Sequence, residues 1–280
     1  MPHADHYLLA GVMGFPIMHS RSPAIHNHWL GEYGLLGHYA PLAVKPDGLE
    51  KALRALRPLG FAGVNLTIPL KELAMPLLDE IDPVARAIGA VNCIVVGEDG
   101  RLRGFNYDAF GYVESLREAA PSWRADAGPT VVLGAGGAAR AILAGLIGEG
   151  AKEIRLANRT LERAQKLAAE FGPRVKPVSW DEREDALEGA ALLVNTTSMG
   201  MMGQPPLDIS LAGLPAHALV SDIVYAPLET DLLAQARKRG LKGVDGLGML
   251  LHQARPAFRD WFGPMPKVSP ELRRRIEASL

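Results

Sequence analysis

The stretch "TVVLGAGGAARAIL", residues 130–143, constrains this chain more than any other. Thr130, Val131, Val132 and Leu133 run straight into Gly134, Gly136 and Gly137, and a series of helix formers follows at once. A short apolar strand feeding a glycine-rich turn and then a helix opens a βαβ unit of a sheet covered on both faces. Gly134 permits the tight turn, Gly136 lets the backbone approach a pyrophosphate, and the small Ala138 and Ala139 keep the helix close to the sheet. Ala139 takes the third position of G-x-G-x-x-G, an accepted variant, and the helix start offers N–H groups to an anion. The alternative is a tight βα turn with no ligand; the strand and helix on either side favour a dinucleotide.

The pattern continues on both sides of this turn. Strands are predicted at 130–133, 153–157, 192–195 and 219–223, and helices at 138–147, 161–171 and 230–239, which are βαβ units. The second of these strands ends in "RLANRTLER". An acidic residue about 20 positions after the glycines would hold the ribose hydroxyls of NAD, whereas arginine accommodates a 2′-phosphate. Here stand Asn158, Arg159 and Thr160, with Arg163 one helical turn on. Two guanidiniums and no carboxylate favour NADP.

The first hundred residues alternate differently, with strands predicted at 7–12, 37–44, 63–68 and 91–96 and helices at 24–33, 48–56 and 71–78. The polar segment 120–129, "APSWRADAGP", is expected near a domain junction. After Val244 the chain is helical again, at 247–262 and 270–280, too short for a domain of its own and expected to pack back onto one of the other two. At 280 residues, two modest domains with a cleft between them are expected.

Composition excludes several classes. Lysine and arginine total 30 against 31 aspartates and glutamates, scattered rather than striped, so no nucleic-acid partner is expected. The single cysteine, Cys93, cannot form an internal disulfide and reads as a small core residue in a reducing compartment. The N-terminal stretch has no basic region before a long apolar run, so no secretory signal is inferred and a cytoplasmic location is expected. The most apolar long segment, 130–148, carries Arg140 and several glycines, which argues against a membrane span.

"VNLTIPLK", residues 64–71, alternates Val64, Leu66, Ile68 and Leu70 with Asn65, Thr67, Pro69 and Lys71. Its polar face looks either at water or at a ligand. If the second domain holds a nicotinamide cofactor, the first should hold the hydride's other partner. Candidates there are Ser20 and Ser22, the 65/67/71 face, Asn92 and Asp108. Reducing a ketone puts negative charge on oxygen, so the site needs a proton donor or cation, and Lys71 can be both. Asp108 would favour the charged ammonium and partial burial would oppose it. Asn65, Thr67 and Asn92 both donate and accept hydrogen bonds, which suits ring hydroxyls.

"PIMHSRSPAIHN", "GVNLTIPLKE", "IGAVNC", "GFNYDAFG", "GAGGAARA", "NRTLERA", "NTTSMGM", "DIVYAPLET" and "GLGMLLHQA" stand in the order found in shikimate dehydrogenases. The chain resembles that family over almost its whole length. The resemblance implies an α/β enzyme reducing 3-dehydroshikimate to shikimate with NADPH. It implies a substrate-binding and catalytic domain, 1–110 plus 247–280, carrying the C-terminal helices, and a Rossmann-like NADP-binding domain, 111–246. By resemblance, Ser20 and Ser22 bind the substrate carboxylate, and Asn65, Thr67, Lys71, Asn92 and Asp108 surround the ring hydroxyls. Tyr225 and Gln253 contact the substrate too. Gly134, Ala135, Gly136, Gly137 and Ala138 hold the pyrophosphate, Asn158 through Arg163 the adenosine phosphate, and Ile223, Gly246 and Met249 lie near the nicotinamide. The implied partner is a small molecule, and the implied assembly a monomer or homodimer.

The sequence departs from the family where Asn-Thr-Asp-Gly is common and Asn106, Tyr107, Asp108 and Ala109 stand, and where Ala226 replaces an asparagine after Val-Tyr. Tyr107 bears on substrate breadth. His26 and His28 point apart on a helix without a carboxylate or cysteine cluster, so they read as solvated or capping residues, not metal ligands. His19 and His252 flank site motifs. Met199, Met201 and Met202 follow "NTTS" and divide between a nicotinamide loop and gap-filling packing. The rival functions are a catabolic quinate/shikimate dehydrogenase, often NAD-dependent, a non-catalytic metabolite sensor, and a folate-type dehydrogenase. The arginine pair and the serine pair count against the first and last, and Lys71 with Asp108 against the sensor.

Overall fold

A computed structural model describes residues 7–280. The first six residues, part of the stretch from which the absence of a secretory leader is inferred, lie outside the described residues. In chain order the elements are β1 Leu8–Gly14, α1 Ser22–Glu32, β2 Gly37–Ala43, α2 Leu49–Ala55, β3 Phe61–Leu66, α3 Leu70–Leu73, β4 Glu80–Ile81 and α4 Pro83–Ile88. Then come β5 Cys93–Val96, β6 Leu102–Phe105, α5 Asp108–Ala119, β7 Thr130–Leu133, α6 Gly137–Gly148, β8 Ile154–Asn158, α7 Leu161–Phe171 and β9 Val175–Ser179. The chain closes with β10 Leu192–Asn195, β11 Leu219–Asp222, α8 Asp231–Lys238, β12 Lys242–Val244, α9 Gly246–Phe262 and α10 Pro270–Glu277. Two compact units result, one from the chain up to Tyr107 together with Leu251–Ser279, the other Asp108–Leu250. The polar segment 120–129 joins α5 to β7 inside the second unit rather than dividing two units.

The second unit holds six parallel strands in the order β9-β8-β7-β10-β11-β12, the doubly wound dinucleotide-fold arrangement. Its central strands β7 and β10 are buried on both faces, which is why they read as unbroken apolar runs. Val132, Leu156 and Val194 pack with Leu116, Ile142, Leu146 and Leu167 of α5, α6 and α7. Val131, Leu133, Leu193 and Val220 pack on the other side with Leu232 and Ala236 of α8.

The first unit is a mixed six-stranded sheet, β2-β1-β3-β5-β6-β4. β1 runs parallel to β2 and β3, β5 is antiparallel to both β3 and β6, and β4 is parallel to β6. Val64 and Leu66 turn to the face covered by Leu49, Leu53, Leu70, Ala74 and Ala85. Gly63 and Asn65, alternating with them, turn to the face covered by α1 and α9. A Cβ on Gly63 would collide with Trp261 Nε1, and that indole donates to the Ile94 carbonyl at 3.0 Å, so glycine lets α9 lie against the strand. α10 starts at the Ser269 cap, whose hydroxyl accepts from Leu272 N at 3.1 Å, with Pro270 in its first turn.

Several predicted elements shift. The strand predicted at 63–68 ends at Leu66, so Ile68 is not part of an apolar strand face and is 77% exposed. The strand predicted at 91–96 begins only at Cys93. The helix predicted at 71–78 is one turn, α3, followed by a 3-10 turn at Met75–Leu77, because Pro76 interrupts it. The elements β4, α4, β6, α5, β9 and β12 add to those predicted. Among the described residues no helix is long and apolar enough to cross a membrane.

His26 is neither solvated nor a cap. It is fully buried, its ring lies flat on Tyr39 at 4.2 Å and 5°, and Trp29, Phe258 and Trp261 surround it. Neither ring nitrogen has a hydrogen-bond partner among the described residues. His28 is half-buried and reaches Glu32 at 3.8 Å.

Burial lowers the His26 imidazole from 6.5 to about 3, so on acidification the unfolded chain takes up this proton before the folded one does. The stability tied to neutral His26 is fully present above its unfolded pKa and is lost as pH falls below it toward the folded value. Urea unfolding at pH about 7 and about 5.5 is expected to show the native protein losing about 1 kcal/mol more than His26→Phe. Equal losses in the two proteins would remove His26 as the source.

Candidate active site

Strand direction collects the polar residues of the first unit at one end of its sheet. β1, β3 and β6 finish there and the antiparallel β5 begins there, so the segments after Gly14, Leu66 and Phe105 and before Cys93 share that end. Backbone bonds stitch the segments together: Leu66 N donates to Asn92 O, Asn92 N to Phe105 O and Val91 N to Lys71 O, each at 2.9 Å. Ser20 and Ser22 follow β1, and Ser22 N approaches Ser20 Oγ at 3.4 Å. Thr67 and Lys71 follow β3, both half-buried.

Asn65 and Asn92 are buried, as is Gln253 on α9. Asn65 Nδ2 donates to the Asn92 carbonyl at 2.9 Å, and Asn65 Oδ1 accepts from Tyr39 Oη at 2.7 Å. Asn92 Oδ1 accepts from Tyr107 N at 2.9 Å, and Asn92 Nδ2 faces Gln253 Oε1 at 3.5 Å. Backbone groups thus fix the orientations of the Asn65 and Asn92 amides, and Gln253 stands next to Asn92. Asn65 therefore looks at a backbone carbonyl and a phenol, not at open water, whereas Thr67 and Lys71, beyond the end of the strand, are half-buried. Asn106 Nδ2 holds the Ala90 carbonyl at 2.9 Å, and Tyr107 Oη donates to the Asp260 carboxylate while its ring stacks on Phe105. Burial, then the neighbouring Cys93 and Asp260, holds the Tyr107 phenol well above its ordinary value.

Asp108 and Tyr225 belong to the second unit, Asp108 as the first residue of α5 and Tyr225 just beyond β11; both are half-buried. The other predicted residues of that unit gather at the carboxyl end of its parallel sheet. Gly134 adopts φ +102°, and a Cβ there would lie 2.7 Å from Thr196 Oγ1. Thr196 closes the turn from β10 by donating to the Leu133 carbonyl at 2.7 Å. Ala135 N donates to Asn158 Oδ1 at 3.1 Å, which ties the turn to the end of β8, while Asn158 Nδ2 donates to Thr160 O. Gly136 and Gly137 are exposed and a Cβ on either meets nothing within 4 Å. The N-terminus of α6 has no side-chain cap. Ala138, on its first turn, is half-buried.

These are the features of a phosphate cradle: an uncapped helix start, two glycines facing open space and a turn braced from behind. Arg159, Thr160 and Arg163 are exposed, and neither guanidinium has a carboxylate partner among the described residues. The residues present fit a dinucleotide with an added phosphate. Ile223 N donates to Asn195 O at 3.1 Å, and Gly246 presses against the Ile223 carbonyl, leaving no room for a Cβ. Met249 packs against the α5–α6 core, as does Ile223. Met199 packs on the α8 side, whereas Met201 and Met202 are exposed.

Two groups escaped the sequence reading. Tyr39, which donates to Asn65, carries no local signal. Asp222 is buried and accepts from Thr230 Oγ1 at 2.8 Å, Asn195 Nδ2 at 2.9 Å and Val224 N at 3.0 Å. Desolvation raises its pKa, and those three bonds oppose the rise. Their signal was the clustering of Asn195, Thr196 and Asp222 at strand ends. Among the described residues no cluster of His, Cys, Asp and Glu is placed to hold a metal ion.

Residues 12–94 match the family described as the shikimate dehydrogenase substrate binding domain, and residues 121–202 that described as shikimate / quinate 5-dehydrogenase. The chain is 57% identical over 265 residues to the NADP(+) shikimate dehydrogenase of Paramagnetospirillum magneticum, covering 95% of this chain and 96% of that protein. With the enzyme of the same name from Rhodospirillum rubrum the identity is 56% over 272 residues, covering 96% of each. Among solved structures, shikimate 5-dehydrogenase of Thermus thermophilus in complex with NADP(H) and shikimate matches with TM-score 0.85 and 39% identity, over 97% of this chain and 99% of that one. Quinate dehydrogenase of Corynebacterium glutamicum in complex with NAD matches with TM-score 0.90 and 33% identity, over 98% and 99%.

The open space at Gly136 has a direct consequence. Gly136 has extended backbone, φ −96° and ψ −171°, which valine adopts without strain. Gly136→Val is expected to keep the thermal midpoint within about 2 °C while weakening NADP(H) binding at least about tenfold, read by titrating the bound cofactor's fluorescence. Undiminished binding would show that the turn does not carry the pyrophosphate.

Proposed function

The chain belongs to the shikimate dehydrogenase family, and from that premise we propose that it reduces 3-dehydroshikimate to shikimate, reversibly, with NADPH as its reductant. The observation that carries the reading is the row of buried, mutually oriented amides, Asn65, Asn92 and Gln253. A polyhydroxylated ring needs several donors and acceptors at fixed positions without a net charge, and a row of amides offers that. In this reading Ser20 and Ser22 bind the carboxylate, Thr67 and Tyr225 join the amides around the ring, and the whole is a step of aromatic amino-acid biosynthesis in the cytoplasm. The protein works as a monomer or homodimer.

NADPH, when bound, supplies the hydride. Gly134 through Ala138 hold its pyrophosphate, Asn158 through Arg163 its adenosine phosphate, and Ile223, Gly246 and Met249 border its nicotinamide. As the ketone becomes an alcohol, charge builds on the substrate oxygen. Lys71 offers an ammonium to stabilise that charge and a proton to quench it. Asp108 is the carboxylate of the proton-handling pair. Because the charge develops mainly in the transition state, the contribution of Lys71 falls on turnover rather than on ground-state binding.

The alternative is quinate oxidation with NAD, favoured by the close match to the Corynebacterium fold. Against it stand the two exposed arginines where NAD would meet a carboxylate.

Rates with shikimate and quinate, each with NADP and NAD, separate these readings. Activity is expected with shikimate and NADP, and a preference for quinate with NAD would replace the biosynthetic reading. Lys71→Ala is expected to lower kcat at least about a hundredfold with KM changed less than about threefold; the opposite split would make Lys71 a binding residue. Arg159→Ala is expected to raise the NADP KM about tenfold or more and leave the NAD KM within about twofold. Equal changes in the two would detach Arg159 from the 2′-phosphate.

A further inference from the structure

Tyr39 is fully buried on β2, and α1 grips it in two ways. The His26 ring lies flat against the phenol ring. The next residue, Asn27, clamps the tyrosine backbone from both sides, with Nδ2 donating to Tyr39 O at 2.9 Å and Oδ1 accepting from Tyr39 N at 3.0 Å. Trp261 flanks the same ring at 5.9 Å. A core tyrosine that only filled space would need none of this, and its hydroxyl would need only some partner.

The hydroxyl has a specified partner and a specified direction. The Asn92 carbonyl can only accept, so the Asn65 group facing it at 2.9 Å is the nitrogen, and Asn65 Oδ1 is therefore the atom facing Tyr39. The phenol must then donate to Asn65. One directed chain results: Tyr39 to Asn65, Asn65 to the Asn92 backbone. With one amide hydrogen engaged by the Asn92 carbonyl, Asn65 has one N–H left to offer a ligand.

We infer that Tyr39 is a positioning residue of the shikimate site: the Asn92 carbonyl selects the way round of the Asn65 amide, and the Tyr39 hydroxyl, as its second anchor, holds the remaining N–H in a fixed direction toward a substrate oxygen. The inference rests on the reading of Asn65 as a substrate-binding residue. Without the phenol, the Asn65 amide keeps only its bond to the Asn92 carbonyl and pivots about it, so its remaining N–H is no longer held in one direction. Substrate binding suffers, while cofactor binding in the other unit does not.

The test is a double-mutant cycle of Tyr39→Phe and Asn65→Ala, with KM and kcat for shikimate and KM for NADP measured in all four proteins. Tyr39→Phe is expected to raise the shikimate KM about fivefold to tenfold, with kcat and the NADP KM within about twofold. Asn65→Ala is expected to raise it at least about tenfold, and the double variant to match Asn65→Ala within about twofold, because Tyr39 acts through the amide that is no longer there. If the two effects instead multiply, or Tyr39→Phe leaves KM unchanged while Asn65→Ala raises it, the positioning role is overturned and Asn65 remains a substrate residue. If Asn65→Ala itself leaves the shikimate KM unchanged, the reading of the amide row falls, and the inference with it. Asn27→Ala, which loosens the backbone clamp and leaves the phenol in the chain, is expected to raise the shikimate KM about twofold to fivefold with the NADP KM steady. A shift of both KM values together would mark general damage and count against the inference.

Discussion

One strand running the other way makes the first unit's polar end possible. In an all-parallel sheet, carboxyl ends gather on one side and the segments that lead into strands gather on the other. β5 is antiparallel to β3 and to β6, so the residue that leads into it, Asn92, arrives where Thr67 and Tyr107 depart. The pairing of Asn65 with Cys93, and of Cys93 with Phe105, sets the spacing between these segments. Each amide in the row then finds a backbone or side-chain partner at hydrogen-bond distance, and a one-residue slip of β5 would turn every such side chain to the other face.

The second unit reaches its functional end by the opposite rule. All six strands are parallel, so every loop beyond a carboxyl end is available, and the switch in strand order between β7 and β10 leaves room for a ligand. The turn there is braced from behind by Thr196 and from the side by Asn158. A buried carboxylate, Asp222, holds the ends of β10 and β11 and the start of α8 together through three donors. Polar groups in both units serve to fix backbone at a sheet end. They differ in charge: the first unit sets out neutral amides, and the second leaves two guanidiniums, Arg159 and Arg163, exposed beyond β8.

The sequence was most legible where burial is two-sided. β7, α7 and β10 coincide with their predicted limits, because an unbroken apolar run or an amphipathic stretch between turn residues leaves little choice. Three of the four edge strands were not legible: β9 carries Lys176 and Pro177, β4 is two residues long and β12 three, so none of these has a pattern to find, whereas β2 stood out. In the candidate site, residues carried by local motifs, such as Asn65, Lys71, Gly134 and Arg159, could be named from sequence. Tyr39 could not, since its importance comes from Asn65, 26 positions away. His26 misled for a similar reason. A His-x-His pair on a helix reads as solvated until Phe258 and Trp261, more than 230 residues later, fold over it.

Cys93 opens β5 in the middle of this arrangement, fully buried and paired in register with Asn65 on one side and Phe105 on the other. Burial also pushes its thiol well above the ordinary range, so the nucleophilic thiolate is scarce while the sheet end stays closed. It is the only cysteine in the chain. A thiol-reactive dye added to the native protein can therefore modify one atom alone, and only during moments when the strands around the amide row part. The labelling rate is a clock for that opening, and the protein carries the reporter for its own local breathing at the position where breathing would matter most.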